Sequence, residues 1–373
     1  MRNRLLHNWY IYIITAGIFC FSVICWLLFF LDILKADHGN RENKNVNFVG
    51  SIEYFMDTID DTWYDNIFLK TRFNALHSSY MYLSTKEIDS NQVIIGKDDW
   101  LFYKDNIDGD TIADFEGTNR YGKNELNEML KTVRYIQGKM EDRGVKFAIL
   151  VPPNKENIYS EFMPDIYSYN PLSSTDIMVD YLRSNGISIL SPKDGLMRYH
   201  SDIQLYYSYD SHWNQLGGYI GVKTLMDFWN IPLQEIDEKR ILSYPLKGKY
   251  HYGAMDDLAQ MSGLIAILND ELEYEIEGTR LIDWQRYEKE QNAKEISYFK
   301  NTEARLSETV FLIGDSFRTA MIPALCQIFQ NVYIVDRSNY SASMLEELNP
   351  DYLVVEYVER YSRQISEIDF LLN

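Results

Sequence analysis

Residues 309–318 read Thr-Val-Phe-Leu-Ile-Gly-Asp-Ser-Phe-Arg, a run of apolar, β-favouring residues that ends in a glycine and delivers a serine directly after it. The run predicts a buried strand ending at Gly314, which sets Ser316 at the carboxyl edge of a sheet, where α/β folds place their ligand sites. The apolar residues 320–329 read as a helix whose first N–H groups face charge developing near the serine. Strand, turn and helix in that order are the setting a nucleophilic serine requires.

Outward from that stretch the chain alternates between the two periods. Upstream, Leu126, Met129, Leu130, Val133, Ile136 and Met140 form one apolar helix face, Gly144 stops it, and residues 145–151 read as a strand broken by Pro152 and Pro153. A second unit follows: Ser173 with Asp176 forms a capping box, Ile177, Met178, Tyr181 and Leu182 face inward, Gly186 ends the helix, and residues 187–190 are a strand. Residues 215–229 form a helix whose Gly217, Gly218 and Gly221 permit close packing. Downstream, residues 332–335 and 352–355 are two further buried strands around a helix at 343–348. Strand and helix alternating through residues 145–356 predict a three-layer α/β/α sandwich with a mostly parallel sheet. Strands at 93–95 and 100–103 flank a turn, residues 52–82 suggest two capping helices, and the strongly charged 231–305 reads as an insertion or lid with a few β-segments.

A serine hydroxyl attacks only when a base takes its proton and a third group holds that base. The chain has six histidines, and one of them lies in Tyr209-Asp210-Ser211-His212-Trp213. An i, i+2 pair on an extended loop projects to one side, so Asp210 orients one ring nitrogen of His212 while the other faces outward. The expected triad is Ser316, His212 and Asp210. Each member alone fits a plainer role, Ser316 a helix cap and the other two a turn, so the pairing of the two motifs carries the reading. Asp315 is expected to bond the backbone and hold the serine turn, and Trp213 to pack under the histidine. The Ser316 N–H is one expected oxyanion donor; Arg318, Tyr340 and Arg360 are candidates for another, and Lys155, just past a strand end, for a substrate contact.

Gly314-Asp315-Ser316, with the Asp-x-His-Trp of residues 210–213 upstream of it, resembles the SGNH-hydrolase-like polysaccharide O-acetyltransferases related to AlgJ and AlgX; in ordinary SGNH hydrolases the acid–histidine block follows the serine. Gly96-Lys97-Asp98-Asp99-Trp100-Leu101-Phe102-Tyr103, Val151-Pro152-Pro153-Asn154-Lys155 and Asp257-Leu258-Ala259-Gln260-Met261 are similar to segments of that family, and the likeness spans roughly residues 50–365. Asp99 departs from it, standing where the family more often has glycine. The resemblance implies an SGNH-hydrolase-like fold and acetyl transfer through a serine acyl-enzyme to hydroxyls of a cell-surface or secreted polysaccharide. It implies no bound cofactor, the acetyl group coming from a donor or from a membrane-bound O-acyltransferase partner. A polysaccharide esterase with the same triad and a non-catalytic polysaccharide-binding or assembly subunit are the alternatives.

The 373 residues are 46% hydrophobic and carry a formal charge of −19, which makes nucleic acid an unsuitable partner. Three cysteines, Cys20, Cys25 and Cys326, imply no disulfide framework, and no metal or dinucleotide signature is present in the sequence. Residues 9–31 contain no charged side chain, long enough for the ~20-residue span of a bilayer. Arg2 and Arg4 precede the run, so the N-terminus is expected in the cytoplasm, with residues 1–35 as a transmembrane signal anchor, 36–50 as a linker and 51–373 as the extracytoplasmic domain.

Overall fold

The computed structural model describes residues 70–88, 90–104, 109–246, 256–277, 285–291 and 294–372, with Cys20 and Val23 before them. The chain divides into two compact units, residues 1–77 and 78–373. The span expected at 9–31 lies outside the described residues except for Cys20 and Val23, and so do the linker and the first part of the 52–82 stretch, of which helix α1 (Lys70–Thr85) is described. Among the described residues no helix is long and apolar enough to cross a membrane.

Strands β1 (Val93–Ile95) and β2 (Leu101–Tyr103) pair antiparallel around a 3₁₀ turn at Lys97–Asp99. Asp98 and Asp99 both lie in the left-handed region, with φ of 52° and 63°, which glycine enters freely and aspartate more readily than most residues. Asp99 therefore adopts the backbone conformation a glycine would take, and its carboxylate pairs with Lys86 at 2.9 Å.

Helix α2 (Lys123–Asp142) buries the six apolar residues expected of it, from Leu126 to Met140, and Gly144 ends it with φ 73°. Strand β3 (Lys146–Leu150) follows. The reciprocal Ser173–Asp176 capping box opens α3 (Ser174–Ser184), which leads to the short β4 (Ile189–Leu190). The buried side of α3 is Met178, Val179 and Leu182, while Ile177 and Tyr181 are only half-buried, so the helix is rotated from the expected face. Tyr181 reaches the rim, where its hydroxyl donates to Asn127 at 2.7 Å. Then come α4 (Gln215–Phe228), β5 (Ile241–Pro245), α5 (Asp257–Met261), β6 (Leu272–Ile276), β7 (Gln285–Gln291), β8 (Lys294–Lys300), β9 (Leu306–Gly314), α6 (Ile322–Ile328), β10 (Phe329–Asp336), α7 (Ala342–Leu348) and β11 (Tyr352–Glu356).

The main sheet runs β4-β3-β11-β9-β10-β8-β7. Its first five strands are parallel, and β8 and β7 add antiparallel to the far edge, so the sheet is mixed. Side chains alternate between two cores: Val310 and Leu312 of β9 pack with α4 and α6, while Phe311 and Ile313 pack with α2, α3 and α7. All four side chains are fully buried, each contributing about 1.5–3 kcal/mol, so the strand carrying the serine is firmly fixed. Two expectations change here. Two strands of the 231–305 stretch are not a lid, because β7 and β8 extend the sheet itself. The segment after the serine is a 3₁₀ turn, Ser316–Met321, and α6 begins only at Ile322, so the helix N-terminus does not face Ser316 directly.

Candidate active site

Two buried carboxylates shape the turn after β9. Gly314 is required there: a Cβ on it would lie 2.5 Å from Glu356 Oε2. That oxygen accepts the Asp315 N–H at 3.0 Å, and burial, with the neighbouring Asp315 charge, pushes the Glu356 carboxyl well above its ordinary range. Asp315 in turn accepts from the Phe317 N–H at 3.0 Å and the Val358 N–H at 2.9 Å. With these backbone groups tied, Ser316 is left exposed at the tip, and its own N–H has no partner among the described residues.

The second motif sits on a tight hairpin. Tyr206 and Trp213 form an antiparallel bridge, and the Tyr207 N–H donates to His212 O at 3.2 Å. Four side chains hold the hairpin. The buried Lys155 ammonium donates to the carbonyls of Tyr207, Ser208 and Asp210 at 2.8, 2.9 and 2.9 Å. Glu271 accepts the Tyr209 N–H, and Glu273 accepts the Tyr207 hydroxyl. Asp257, at the start of α5, accepts both the N–H and the hydroxyl of Ser211, and its own N–H donates to Asp210 Oδ2 at 3.0 Å. Burial lowers the Lys155 pKa to about 8, so the group is still charged at neutral pH.

The two motifs meet in line. Asp210 Oδ1 lies 2.6 Å from His212 Nδ1, and His212 Nε2 lies 2.6 Å from Ser316 Oγ. With Nδ1–H donating to the carboxylate, Nε2 presents a lone pair to the serine hydroxyl, the arrangement in which a histidine acts as base. Burial alone would raise Asp210, but the imidazole charge and the hydrogen bonds from His212 and the Asp257 N–H hold its carboxyl well below the usual range. Burial would lower His212, but the Asp210 charge and hydrogen bond, with Asp257 behind them, raise it above 6.5. Phe317, fully buried, has its ring centroid 5.1 Å from the His212 ring. Trp213 lies beyond it and donates its indole N–H to Phe317 O at 2.8 Å.

The other expected residues are placed differently. Arg318 is bonded to Asp315 O and to Asp336 at 2.9 Å, so it braces the turn from outside. Tyr340 is buried in the opposite core and donates to Leu371 O. Lys155 is fully engaged by backbone carbonyls and offers no N–H to a substrate. Arg360 remains beside the site, its guanidinium 5.5 Å from the Phe317 ring centroid. Asp257, Phe317 and Glu356 are the residues that sequence reasoning missed; the first lies in a quoted family-like segment and the second adjoins the serine, whereas Glu356 reads only as the residue after a strand. Asp210, His212 and Asp257 have ligand atoms within 4.8 Å of one another. A cation there would have to break the Asp210–His212 bond, since Nδ1 and both carboxylates are already hydrogen-bonded.

Residues 93–329, well over half of the chain, match the sequence profile of the family described as SGNH hydrolase-like domain, acetyltransferase AlgX. No curated protein matches the chain by sequence. Among solved structures, a DHHW family protein of Eubacterium siraeum has 15% identity and a TM-score of 0.52 over 76% of this chain and 98% of its own, a likeness of fold. PatB1 of Bacillus cereus has 14% identity and a TM-score of 0.48 over 73% of this chain and 97% of its own. The O-acetyltransferase domain of Pseudomonas putida AlgJ has 14% identity and a TM-score of 0.45 over 74% and 99% respectively.

Proposed function

The chain belongs to the SGNH hydrolase-like acetyltransferase family of AlgX, and from that premise we propose that it is an O-acetyltransferase that carries acetyl on Ser316 and passes it to a hydroxyl of a polysaccharide. The observation that carries the reading is the unbroken line from Asp210 through His212 to Ser316, both links 2.6 Å.

His212 Nε2 takes the Ser316 proton as Oγ attacks the acetyl carbonyl, and Asp210 stabilises the imidazolium that forms. The oxyanion receives the Ser316 N–H. As the tetrahedral intermediate collapses, His212 returns the proton to the departing donor oxygen, leaving an acetyl ester on Ser316. The sugar hydroxyl then enters, His212 removes its proton, the same intermediate forms in reverse, and the proton goes back to Oγ as the sugar ester leaves. Family membership supports acetyl as the group; the exposed serine supports a large acceptor. In this reading the uncharged residues 9–31 tether the domain outside the cytoplasmic membrane, and a multi-spanning membrane-bound O-acyltransferase supplies acetyl from the cytoplasmic side.

The test is to incubate the purified protein with an activated acetyl ester and a polysaccharide acceptor, and to measure sugar-bound acetyl and free acetate separately. Acetyl on the sugar that disappears in Ser316→Ala is the expected result. Acetate alone, at an undiminished rate, identifies an esterase, and neither product identifies a binding subunit.

A further inference from the structure

Beside the serine turn, at the carboxyl ends of β9, β10 and β11, lies a crevice of about 640 Å³ that the triad does not use. Asp315, adjacent to Ser316, lines it together with Arg337 and Tyr357, and the terminal 3₁₀ segment supplies Gln364, Glu367 and Phe370. The volume falls within the ~300–1,000 Å³ range of small-molecule sites, and the place is the strand-end crevice where open α/β sheets bind ligands.

The lining has a definite chemistry. The Arg337 guanidinium carbon lies over the Tyr357 ring, 4.2 Å from its centroid, and the group donates to Gln364 at 2.9 Å, while its buried Nε–H has no partner. That N–H needs an acceptor oxygen, and an exposed amide beside it can supply or receive a second bond. Phe370 is half-buried and offers apolar surface beside these groups. A flat, hydroxyl-rich ring with an apolar C–H face satisfies all three. Charge narrows the class further: the lining holds four carboxylates, those of Asp315, Asp336, Glu367 and Asp369, against the one guanidinium. Asp336 is engaged by Arg318 and Asp315 lies 3.9 Å from Arg337, while the exposed Glu367 adds a negative charge at the rim that would repel an anionic sugar at close range.

We propose that this crevice is the acceptor subsite and that it takes an uncharged sugar residue in preference to a uronate or phosphate-bearing one. The inference rests on the acetyl-transfer reading and specifies its substrate. Asp315 lines the crevice and directly precedes Ser316, which joins the two places through the serine turn.

The experiment follows discharge of preformed acetyl-Ser316 enzyme in the full-length protein, with a neutral glucan oligosaccharide or an oligouronate of equal length as acceptor. Wild type should be discharged at least fivefold faster than by water with the glucan and hardly at all with the uronate. Gln364→Ala should raise the KM for the glucan roughly tenfold with kcat and the rate of acetyl-enzyme formation unchanged, and Glu367→Lys should shift the preference toward the uronate. Equal discharge by both sugars, or variants with unaltered KM and preference, would overturn the assignment while leaving the acyl-enzyme intact. If no acetyl-enzyme forms, the transfer reading itself falls, and saturation-transfer NMR with the two oligosaccharides decides the crevice separately: contact with the uronate alone, or with neither, refutes it.

Discussion

A single methyl group placed at Gly218 should separate the two halves of the site. Gly218 faces the serine turn from α4, and a Cβ there would lie 2.3 Å from Ala320 O and 2.5 Å from its carbonyl carbon. Carbon and oxygen need over 3 Å, so the backbone of Ser316–Met321 must retreat by about 1 Å. Overpacking of this kind costs about 1–3 kcal/mol. The functional cost is larger. His212 Nε2 and Ser316 Oγ are 2.6 Å apart, and a retreat of 1 Å carries them past hydrogen-bonding distance. Misplacement of reacting groups on that scale costs on the order of 10² in rate, about 2.7 kcal/mol of barrier. The assay is the burst of nitrophenol from p-nitrophenyl acetate beside a thermal melt, with Gly138→Ala as control. Gly138 lies in α2 with nothing within 4 Å of its would-be Cβ, so alanine there should leave the burst unchanged and stabilise by ~0.5–1 kcal/mol. A Gly218→Ala protein that acylates within twofold of wild type with an unchanged melt would refute the claim that this contact sets the serine's position.

Lys155→Met removes the donor from three carbonyls under the Asp210 hairpin, two of them buried and the third partly so. At ~1–3 kcal/mol for each orphaned group, combining less than additively, the loss should be about 3–5 kcal/mol, seen as a Tm lower by roughly 10 °C with a depressed kcat; an unchanged Tm with a raised KM would instead make the lysine a substrate contact. The pH profile follows from the Asp210–His212 pair. His212 must be neutral to act as base and its pKa is raised above 6.5, so the acid limb of kcat/KM should inflect above pH 6.5 and move downward in Asp210→Asn, where burial is opposed by the Asp257 charge alone. For stability the signs are opposed. The raised His212 contributes fully below pH 6.5 and loses that contribution as pH rises through its folded value, whereas the lowered Asp210 contributes above 3.8 and loses it on acidification. Chemical denaturation from pH 3 to 9 should therefore show the pair's contribution largest between those limits.

Much of this architecture is written in local pattern. The apolar face of α2, the Ser173–Asp176 box and the runs ending at Gly314 and Val355 are governed by periodicity and by cap or turn chemistry, which act within a few residues. The meeting of Asp210, His212 and Ser316 was legible for the same reason, since each of the two motifs is short and its geometry local. Legibility ended where long-range contacts decide. Lys155 read either as a substrate contact or as a surface or structural lysine, because the three carbonyls it binds lie more than 50 residues away. Glu271, Glu273 and Asp257 looked like a charged insertion, yet each is turned inward to satisfy one hairpin. The expected helix after Ser316 gave way to a 3₁₀ turn because Pro323 favours a helix start at its own position, and because Asp315 and Trp213 already hold the backbone ahead of it.

The most direct test of the account is mass spectrometry of the protein after brief exposure to an activated acetyl ester. The account predicts one added acetyl group on the peptide containing Ser316, absent in Ser316→Ala and strongly reduced in His212→Ala, with all three proteins folded. Acetylation elsewhere, or equal labelling of Ser316 without the histidine, would contradict it.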